Sequence, residues 1–190
     1  MTGPTAPRLR MQRATDSLRT EHTLAARALA VLTAIARHVR NGDSFPTQDV
    51  AVVLRFLRES LLAVHMRKDT DVVWPALAMH GDESTAARIG ELFRLHADVT
   101  DLVHSLMLFW EPVDDLSAPE RLGFADTVDA LVASVRRMQK IEEGALFPAC
   151  DHVPADDRLD WPRRFAELEA DRAPLAWSER IATLERVWSR

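Results

Sequence analysis

Apolar residues recur at helical spacing in four long segments, and this pattern constrains the fold more than any other feature of the chain. The segments cover roughly residues 9–39, 47–80, 82–110 and 117–147, and short polar breaks separate them. Long helices joined by short connections favour antiparallel neighbours. We therefore predict an all-α fold, an antiparallel up-down-up-down four-helix bundle.

Residues typical of helix ends mark these breaks. Thr47, within "SFPTQD", is the predicted N-cap of the second helix. Ser117 and Glu120 in "SAPE" predict a capping box at the start of the fourth helix. That helix is expected to end at Phe147, because Pro148 follows it.

A chain of 190 residues is long enough for one sizeable domain with its own core. We assign residues 1–150 to the bundle and residues 151–190 to a C-terminal helical extension packed on it. Two shorter helical patterns, "RRFAELEADR" and "SERIATLERVW", indicate that short helical appendage. Its tryptophans, Trp161, Trp177 and Trp188, are suited to covering a bundle face or forming an interface. The sequence leaves the oligomeric state open.

Composition and charge exclude several classes of protein. The net charge of −5, without a basic stripe, gives no reason to expect nucleic acid as a partner. Because the chain lacks a run of about 18 apolar residues, we expect no membrane span. The N-terminal stretch "MTGPTAPRLRMQRATDS" lacks the apolar region of a signal peptide, so a cytoplasmic location is expected. The single cysteine, Cys150, cannot form an internal disulfide, and we predict a structural role for it.

Each of the four apolar faces is interrupted by a residue able to bind metal. His22 interrupts the first and His96 the third; His65 and Asp69 interrupt the second, and Glu142 the fourth. A rise of about 1.5 Å per residue brings the three histidines to matching levels of antiparallel helices. Buried carboxylates are costly unless they are paired or coordinate a metal. The five residues are therefore candidate ligands of a shared centre.

Two of these interruptions lie in similar segments, "HMRKDTDVVWPAL" and "MQKIEEGALFPAC". Each segment ends in an aromatic–proline pair, and each carries an acid five residues before the aromatic residue, Asp69 or Glu142. His65 precedes the first acid by four residues, where the second copy has Met138. Residues four apart share a helical face, so His65 and Asp69 can present both side chains to one centre. Imidazole with carboxylate suits iron, and also manganese or zinc.

At these residues the sequence resembles the hemerythrin-like family, also called the HHE cation-binding domain. The family's pattern is a histidine in helix one, H-x-x-x-E in helices two and four, and a histidine in helix three. The resemblance covers about residues 15–150, and the two aromatic–proline copies make it fairly specific. By it, His22, His65, Asp69, His96 and Glu142 are the metal ligands, with Asp69 in place of the usual glutamate. It implies a bundle holding a non-haem di-iron centre that reacts with dioxygen, peroxide or nitric oxide.

Two positions depart from the family pattern. Met138 stands where a histidine is expected, and its thioether is a poor ligand for ferric iron. Thr100 stands four residues after His96, so the His-x-x-x-His pair of oxygen carriers is absent. These departures predict an asymmetric or single-metal site.

Other interpretations stay open at this point. Lys68, Arg136 or Arg137 could pair with the two buried acids instead of a metal. The chain could be an iron-dependent oxidase or oxygenase of a small substrate, and no catalytic residue is assigned. A metal-free bundle serving as an interaction module is the third interpretation; a haem site is weaker, because the chain lacks a C-x-x-C-H motif.

Residues around the predicted centre have simpler expected roles. Trp74 and Phe147 are expected to exclude water from it. Glu143 and Asp71 are expected on a solvated face. The remaining histidines are expected at the surface or at helix ends: His38, His80, His104 and His152.

Overall fold

A computed structural model describes residues 15–111, 115–170 and 176–188, and the described chain is all-helical, without a β-strand. Three stretches have the wider π-helical hydrogen-bonding pattern and are named π1 to π3. Up to residue 150 the elements are α1 (Asp16–Arg40), α2 (Thr47–Phe56), π1 (Leu57–His65), α3 (Met66–Lys68), π2 (Asp69–Val73), α4 (Trp74–His80), α5 (Glu83–Trp110), α6 (Ala118–Ile141), π3 (Glu142–Leu146) and α7 (Phe147–Cys150).

The four long segments expected from the apolar periodicity are helical. The second runs without a break from α2 to α4, and the fourth from α6 to α7. The first ends at Arg40, and Gly42 follows with a φ of 94°, a left-handed conformation that favours glycine. The predicted start of the first helix, at residues 9–14, lies outside the described residues.

The predicted helix starts are partly corrected. Thr47 is the first residue of α2, and Pro46 occupies the N-cap position, so the predicted cap was wrong by one residue. The Thr47 backbone N–H instead donates to the carbonyl of Phe45 at 3.0 Å, which turns the chain into the helix. The capping box is confirmed: the Glu120 carboxylate accepts a hydrogen bond from the Ser117 backbone N–H at 2.7 Å.

The predicted apolar stripes form the core. The helix α1 packs against α2, π1 and α6, while α5 packs against α4 and α6. Every residue predicted to form the apolar stripes of the four segments is buried except Ala76, which is partly buried. These residues are Leu18, His22, Ala25, Leu29, Leu32 and Ala36; Leu54, Leu57, Leu61, His65, Asp69, Val72 and Ala76; Ile89, Leu92, His96, Val99, Val103 and Leu106; and Phe124, Val128, Leu131, Val135, Met138 and Glu142. Removing these apolar side chains from water is the main force that stabilises the fold.

Each aromatic–proline pair directly follows a π-helical stretch. Trp74 and Pro75 come after π2, and Phe147 and Pro148 come after π3. A proline inside a helix lacks the N–H for an α-helical hydrogen bond and clashes with the carbonyl four residues earlier. A π-helical bulge accommodates the missing hydrogen bond and the clash, and such bulges occur often at functional sites. Because the bulge accommodates Pro148, the fourth segment continues past its predicted end at Phe147, to Cys150.

In the described part of residues 151–190, the predicted C-terminal extension, the chain forms three helices: α8 (Ala155–Arg158), α9 (Trp161–Ala170) and α10 (Trp177–Trp188). The helix α10 packs on α1 and α2, where Arg27 pairs with Glu185 at 2.6 Å. Trp188 Nε1 donates to Asp49 Oδ2 at 2.8 Å. The helix α9 packs on α3 and π2, the part of the second segment that follows His65 and contains Asp69.

Within the described residues, every helix falls short of the combination of length and apolar character that crossing a bilayer requires.

Candidate metal centre

The five predicted ligands meet in the core. Their side chains form two triads that share Glu142, and within each triad the candidate ligand atoms lie within 4.8 Å of one another. All five residues are buried, from 0% exposure for Glu142 to 7% for His96. Four separate helical segments contribute them, as the sequence predicted. We call His22, His65 and Glu142 the first triad, and Asp69, His96 and Glu142 the second triad.

The first triad is the tighter of the two. His22 Nε2 lies 2.9 Å from Glu142 Oε2 and 3.2 Å from His65 Nε2. His65 Nε2 lies 3.8 Å from the same Glu142 oxygen. Metal–ligand bonds of about 2.0–2.2 Å place neighbouring ligand atoms about 3–4 Å apart. These spacings therefore suit three ligands of one metal ion.

The second triad is more open. His96 Nε2 lies 3.7 Å from Glu142 Oε1 and 4.0 Å from Asp69 Oδ2. Asp69 Oδ2 is also 3.5 Å from His65 Nε2, so this carboxylate faces both triads. Glu142 directs one oxygen toward each triad, which is the arrangement a bridging carboxylate requires.

Two glutamates fix the orientation of the imidazoles in the first triad. His22 Nδ1 donates to Glu143 Oε1 at 2.7 Å, and His65 Nδ1 donates to Glu21 Oε2 at 2.8 Å. A hydrogen bond at one ring nitrogen sets the tautomer and leaves the other nitrogen free for a metal. Both Nε2 atoms therefore present lone pairs to the centre. Glu143 is exposed, as expected, but its contact with His22 was not predicted, and Glu21 was not singled out.

The lone pairs of His22 Nε2 and His65 Nε2 face each other, which is unfavourable unless a positive charge lies between them. With both Nδ1 protons directed outward, the two Nε2 atoms would repel each other at 3.2 Å. Either a proton or a metal ion between the two nitrogens removes that repulsion. Neighbouring Asp69 and Glu142 supply the matching negative charge.

Without a metal, the two buried carboxylates differ in their acidity. Burial alone would raise the pKa of Glu142, but the imidazoles of His22, His65 and His96 hold that pKa well below its usual range. Burial and the charge of Glu142 together raise the pKa of Asp69 well above its usual range. Two neighbouring carboxylates ionise together only when enough positive charge is present.

Several buried polar atoms of the centre have no hydrogen-bond partner. Within the described part of the chain, both oxygens of Asp69, both oxygens of Glu142 and the Nε2 of His96 make no hydrogen bond. The imidazole nitrogens are close enough to favour ionised Glu142 but are not aligned to donate to it. Since buried polar atoms are almost always satisfied, these five atoms lack a partner that a metal ion supplies. The donor set, imidazole and carboxylate, fits iron, manganese or zinc.

The ion-pair interpretation of the two acids was wrong. Lys68 is buried, but it pairs with Glu21 and with Glu169 of α9, not with Asp69 or Glu142. Arg137 pairs with Glu91 on the surface, and Arg136 is exposed. The basic side chains that lie within 4 Å of Asp69 or Glu142 in the described chain are histidines.

The two aromatic–proline pairs each cover one imidazole. The ring of Phe147 stacks on His22 with centroids 5.3 Å apart, and Trp74 lies over His96 at 4.5 Å. Both aromatic side chains are 2% exposed, so they keep water from these faces of the centre. The repeated motif in the sequence thus provides an acid, a helical bulge and an aromatic cover in each copy.

A model of the hemerythrin HHE cation-binding domain matches residues 13–150. The chain belongs to this family. Cation binding by imidazole and carboxylate side chains agrees with the two triads described above. No curated protein and no solved structure matches the chain.

The two departures from the hemerythrin pattern each lie one helical turn from a candidate ligand. Met138 is fully buried on α6, one helical turn before Glu142, and therefore faces the core near the centre. Thr100 is half-buried on α5, one turn after His96. Of the other histidines, His80, His104 and His152 are exposed and His38 is half-buried near the end of α1, as expected.

The cysteine of this hemerythrin-like chain is expected to resist modification. Cys150 is 1% exposed, and burial, with the nearby charge of Asp69, raises the pKa of its thiol to about 12. Because the thiolate is the reactive form, we expect no reaction of the folded protein with Ellman's reagent at pH 8. One equivalent should react after unfolding in guanidinium chloride. Stoichiometric labelling of the folded protein within minutes would contradict the buried, structural role.

Proposed function

We propose that this protein holds an asymmetric non-haem di-iron centre that reacts with or senses dioxygen, peroxide or nitric oxide. In this proposal the four long helical segments form an antiparallel up-down-up-down bundle around the centre, in the cytoplasm. One observation supports it most strongly. The imidazoles of His22 and His65 each donate a hydrogen bond away from the centre through Nδ1, and their Nε2 atoms face the Glu142 carboxylate, which makes no hydrogen bond. Membership of the HHE family supports iron as the metal.

The first triad would hold one iron through His22 Nε2, His65 Nε2 and Glu142, and the second triad the other through His96, Asp69 and Glu142. The first position has two imidazoles and the second has one, so we expect iron to bind more tightly at the first. When bound, iron supplies redox chemistry and a binding position for a diatomic molecule or peroxide. Glu21 and Glu143 orient the imidazoles, and Trp74 and Phe147 exclude water.

A surface groove reaches His22 of the first triad, and we propose it as the route by which small molecules approach the centre. It has a volume of about 460 Å³, and His22, Glu143 and Gln139 line it. Glu143 is 46% exposed, so the carboxylate that accepts the hydrogen bond of His22 is partly in contact with solvent. Dioxygen, nitric oxide and peroxide are small enough to enter such a groove.

Absorption spectra of the iron-loaded protein under nitric oxide, air and peroxide test this function. We expect the anaerobic Fe(II) protein to change its spectrum with at least one of the three, and the metal-free protein to remain unchanged. A change reversed by removing the gas supports a sensor or carrier, and repeated consumption of peroxide or of a substrate supports an enzyme. An iron-loaded protein that responds to none of them would contradict the proposal.

The Met138→His variant tests the asymmetry. A histidine one turn before Glu142 would restore the family's ligand pattern near the centre. We expect Met138→His to tighten binding of the weaker iron and to raise the iron content per chain, measured by metal analysis at matched protein concentration. Met138→Leu, which keeps the apolar volume, should leave the iron content unchanged. Equal affinity for the weaker iron in the wild type and the histidine variant, measured by Fe(II) titration, would contradict the assigned asymmetry.

A further inference from the structure

The charged contacts of His65 continue outward into the C-terminal extension, beyond the residues that the family match covers. Glu21 accepts the hydrogen bond of His65 Nδ1 through Oε2 and pairs with the Lys68 ammonium through Oε1. The same ammonium pairs with Glu169 Oε1 on α9. A continuous series of contacts therefore joins Glu169, Lys68, Glu21 and the candidate ligand His65.

Lys68 is the unusual member of this series, because its side chain is 0% exposed. A buried ammonium is costly unless carboxylates surround it, and Glu21 and Glu169 provide two. The ring of Phe165, also on α9, lies 5.2 Å from its Nζ. The buried position of Lys68 thus depends on α9 lying over it.

A second contact fastens α9 to the ligand-bearing segment. Arg164 donates to the backbone carbonyl of Asp71 in π2. This is the carbonyl four residues before Pro75, with which the proline cannot form an α-helical hydrogen bond. The helix α9 therefore contacts both the charged side chain before Asp69 and the bulge after it.

We propose that Glu169 is a positioning residue of the metal centre and that the C-terminal extension sets the metal affinity. Glu169 holds the Lys68 ammonium, Lys68 holds the Glu21 carboxylate, and Glu21 keeps the His65 ring with Nε2 toward Glu142. The inference rests on the proposed metal-binding function. It adds a residue that lies outside the family match and that the ligand pattern in the sequence does not indicate.

The test compares Glu169→Gln with Glu167→Gln on the same helix. Both glutamates are exposed, 55% and 60%, and each forms an ion pair, Glu167 with Arg163 on the surface. Fe(II) affinity is measured anaerobically by chelator competition on the full chain. We expect Glu169→Gln to weaken Fe(II) binding by about tenfold, the lower end of the 10–100-fold range for residues that support metal-bound histidines. Glu167→Gln should leave the Fe(II) affinity unchanged. Thermal unfolding of the metal-free variants checks that both fold equally well.

A double-mutant cycle separates positioning from a general effect on stability. Glu21→Gln is expected to weaken Fe(II) binding by about 10–100-fold, and adding Glu169→Gln should weaken it no further. The Co(II) absorption spectrum should change alike in both single variants, because the same imidazole moves. Additive losses, or a Glu169→Gln affinity equal to wild type, would overturn the positioning role while leaving the metal site intact. A wild type that binds no Fe(II) would overturn the proposed function and this inference together.

Discussion

Replacing Glu142 with glutamine is expected to remove iron from both positions of the centre. Glu142 belongs to both triads and directs one oxygen to each. A glutamine keeps the size but loses the charge and presents an NH₂ group to the histidines. We expect the affinity for both Fe(II) ions to fall by more than about 100-fold, beyond the loss typical of outer-shell changes. Isothermal titration or chelator competition under anaerobic conditions measures it.

Two further variants should weaken iron binding less than Glu142→Gln does. Glu143→Gln, at the next residue, removes only the partner of His22 Nδ1, and it should weaken Fe(II) binding by about 10–100-fold. Asp69→Asn should abolish the weaker iron of the second triad and retain the tighter one. Retention of two irons by Glu142→Gln would contradict a bridging role for this residue.

Replacing Asp69 with asparagine is expected to stabilise the metal-free protein while it weakens metal binding. Burial and the Glu142 charge raise the pKa of Asp69 in the folded protein, so an ionised Asp69 opposes folding. Because asparagine carries no charge, we expect the free energy of unfolding at pH 7 to rise by more than the roughly 0.5 kcal/mol typical of surface substitutions. Urea denaturation of chelator-treated protein measures the change.

The sign of this effect depends on pH. For a folded-state pKa raised above the unfolded value of about 3.9, the contribution of Asp69 to stability is present below that value and is lost as the pH rises through the folded pKa. The advantage of Asp69→Asn in the metal-free protein should therefore grow as the pH rises from about 4. Asp71→Asn is the matched control, because Asp71 is exposed and pairs with Arg67; a change within about 0.5 kcal/mol is expected. A destabilised Asp69→Asn apoprotein would contradict the electrostatic account of the two acids.

The helices and the core could be predicted from the sequence because both depend on local periodicity. Apolar residues at helical spacing located the four long segments, and all but one of the stripe residues proved buried. The cap at Thr47 was placed one residue too late, since Thr47 is already the first helical residue and Pro46 occupies the N-cap position. Cap positions depend on local dihedral angles that a residue's type only favours.

The candidate ligands could also be predicted, because each is a polar residue on an apolar stripe. His22, His65, Asp69, His96 and Glu142 come together in two triads, although their role as ligands stays a prediction. The residues that support them gave no such signal. Glu21 and Glu143 each adjoin a candidate ligand in the sequence and look like exposed acids. Their hydrogen bonds to His65 and His22 depend on contacts between distant segments.

The π-helical stretches were the other feature beyond the sequence pattern. The aromatic–proline pairs were visible, but their effect was assigned to sealing the centre and to ending a helix. In the structure, each proline follows a bulge that begins at a candidate ligand, Asp69 or Glu142. A periodicity argument assumes one regular spacing along each helix, so it cannot locate such a change of pitch.

Metal analysis of the purified protein, produced in iron-supplemented medium, tests the central claim most directly. The account predicts near-stoichiometric iron in the wild type, at least one and up to two ions per chain, and none above background in Glu142→Gln purified in parallel. A folded wild-type protein without near-stoichiometric iron, manganese or zinc, also after anaerobic incubation with Fe(II), would contradict it.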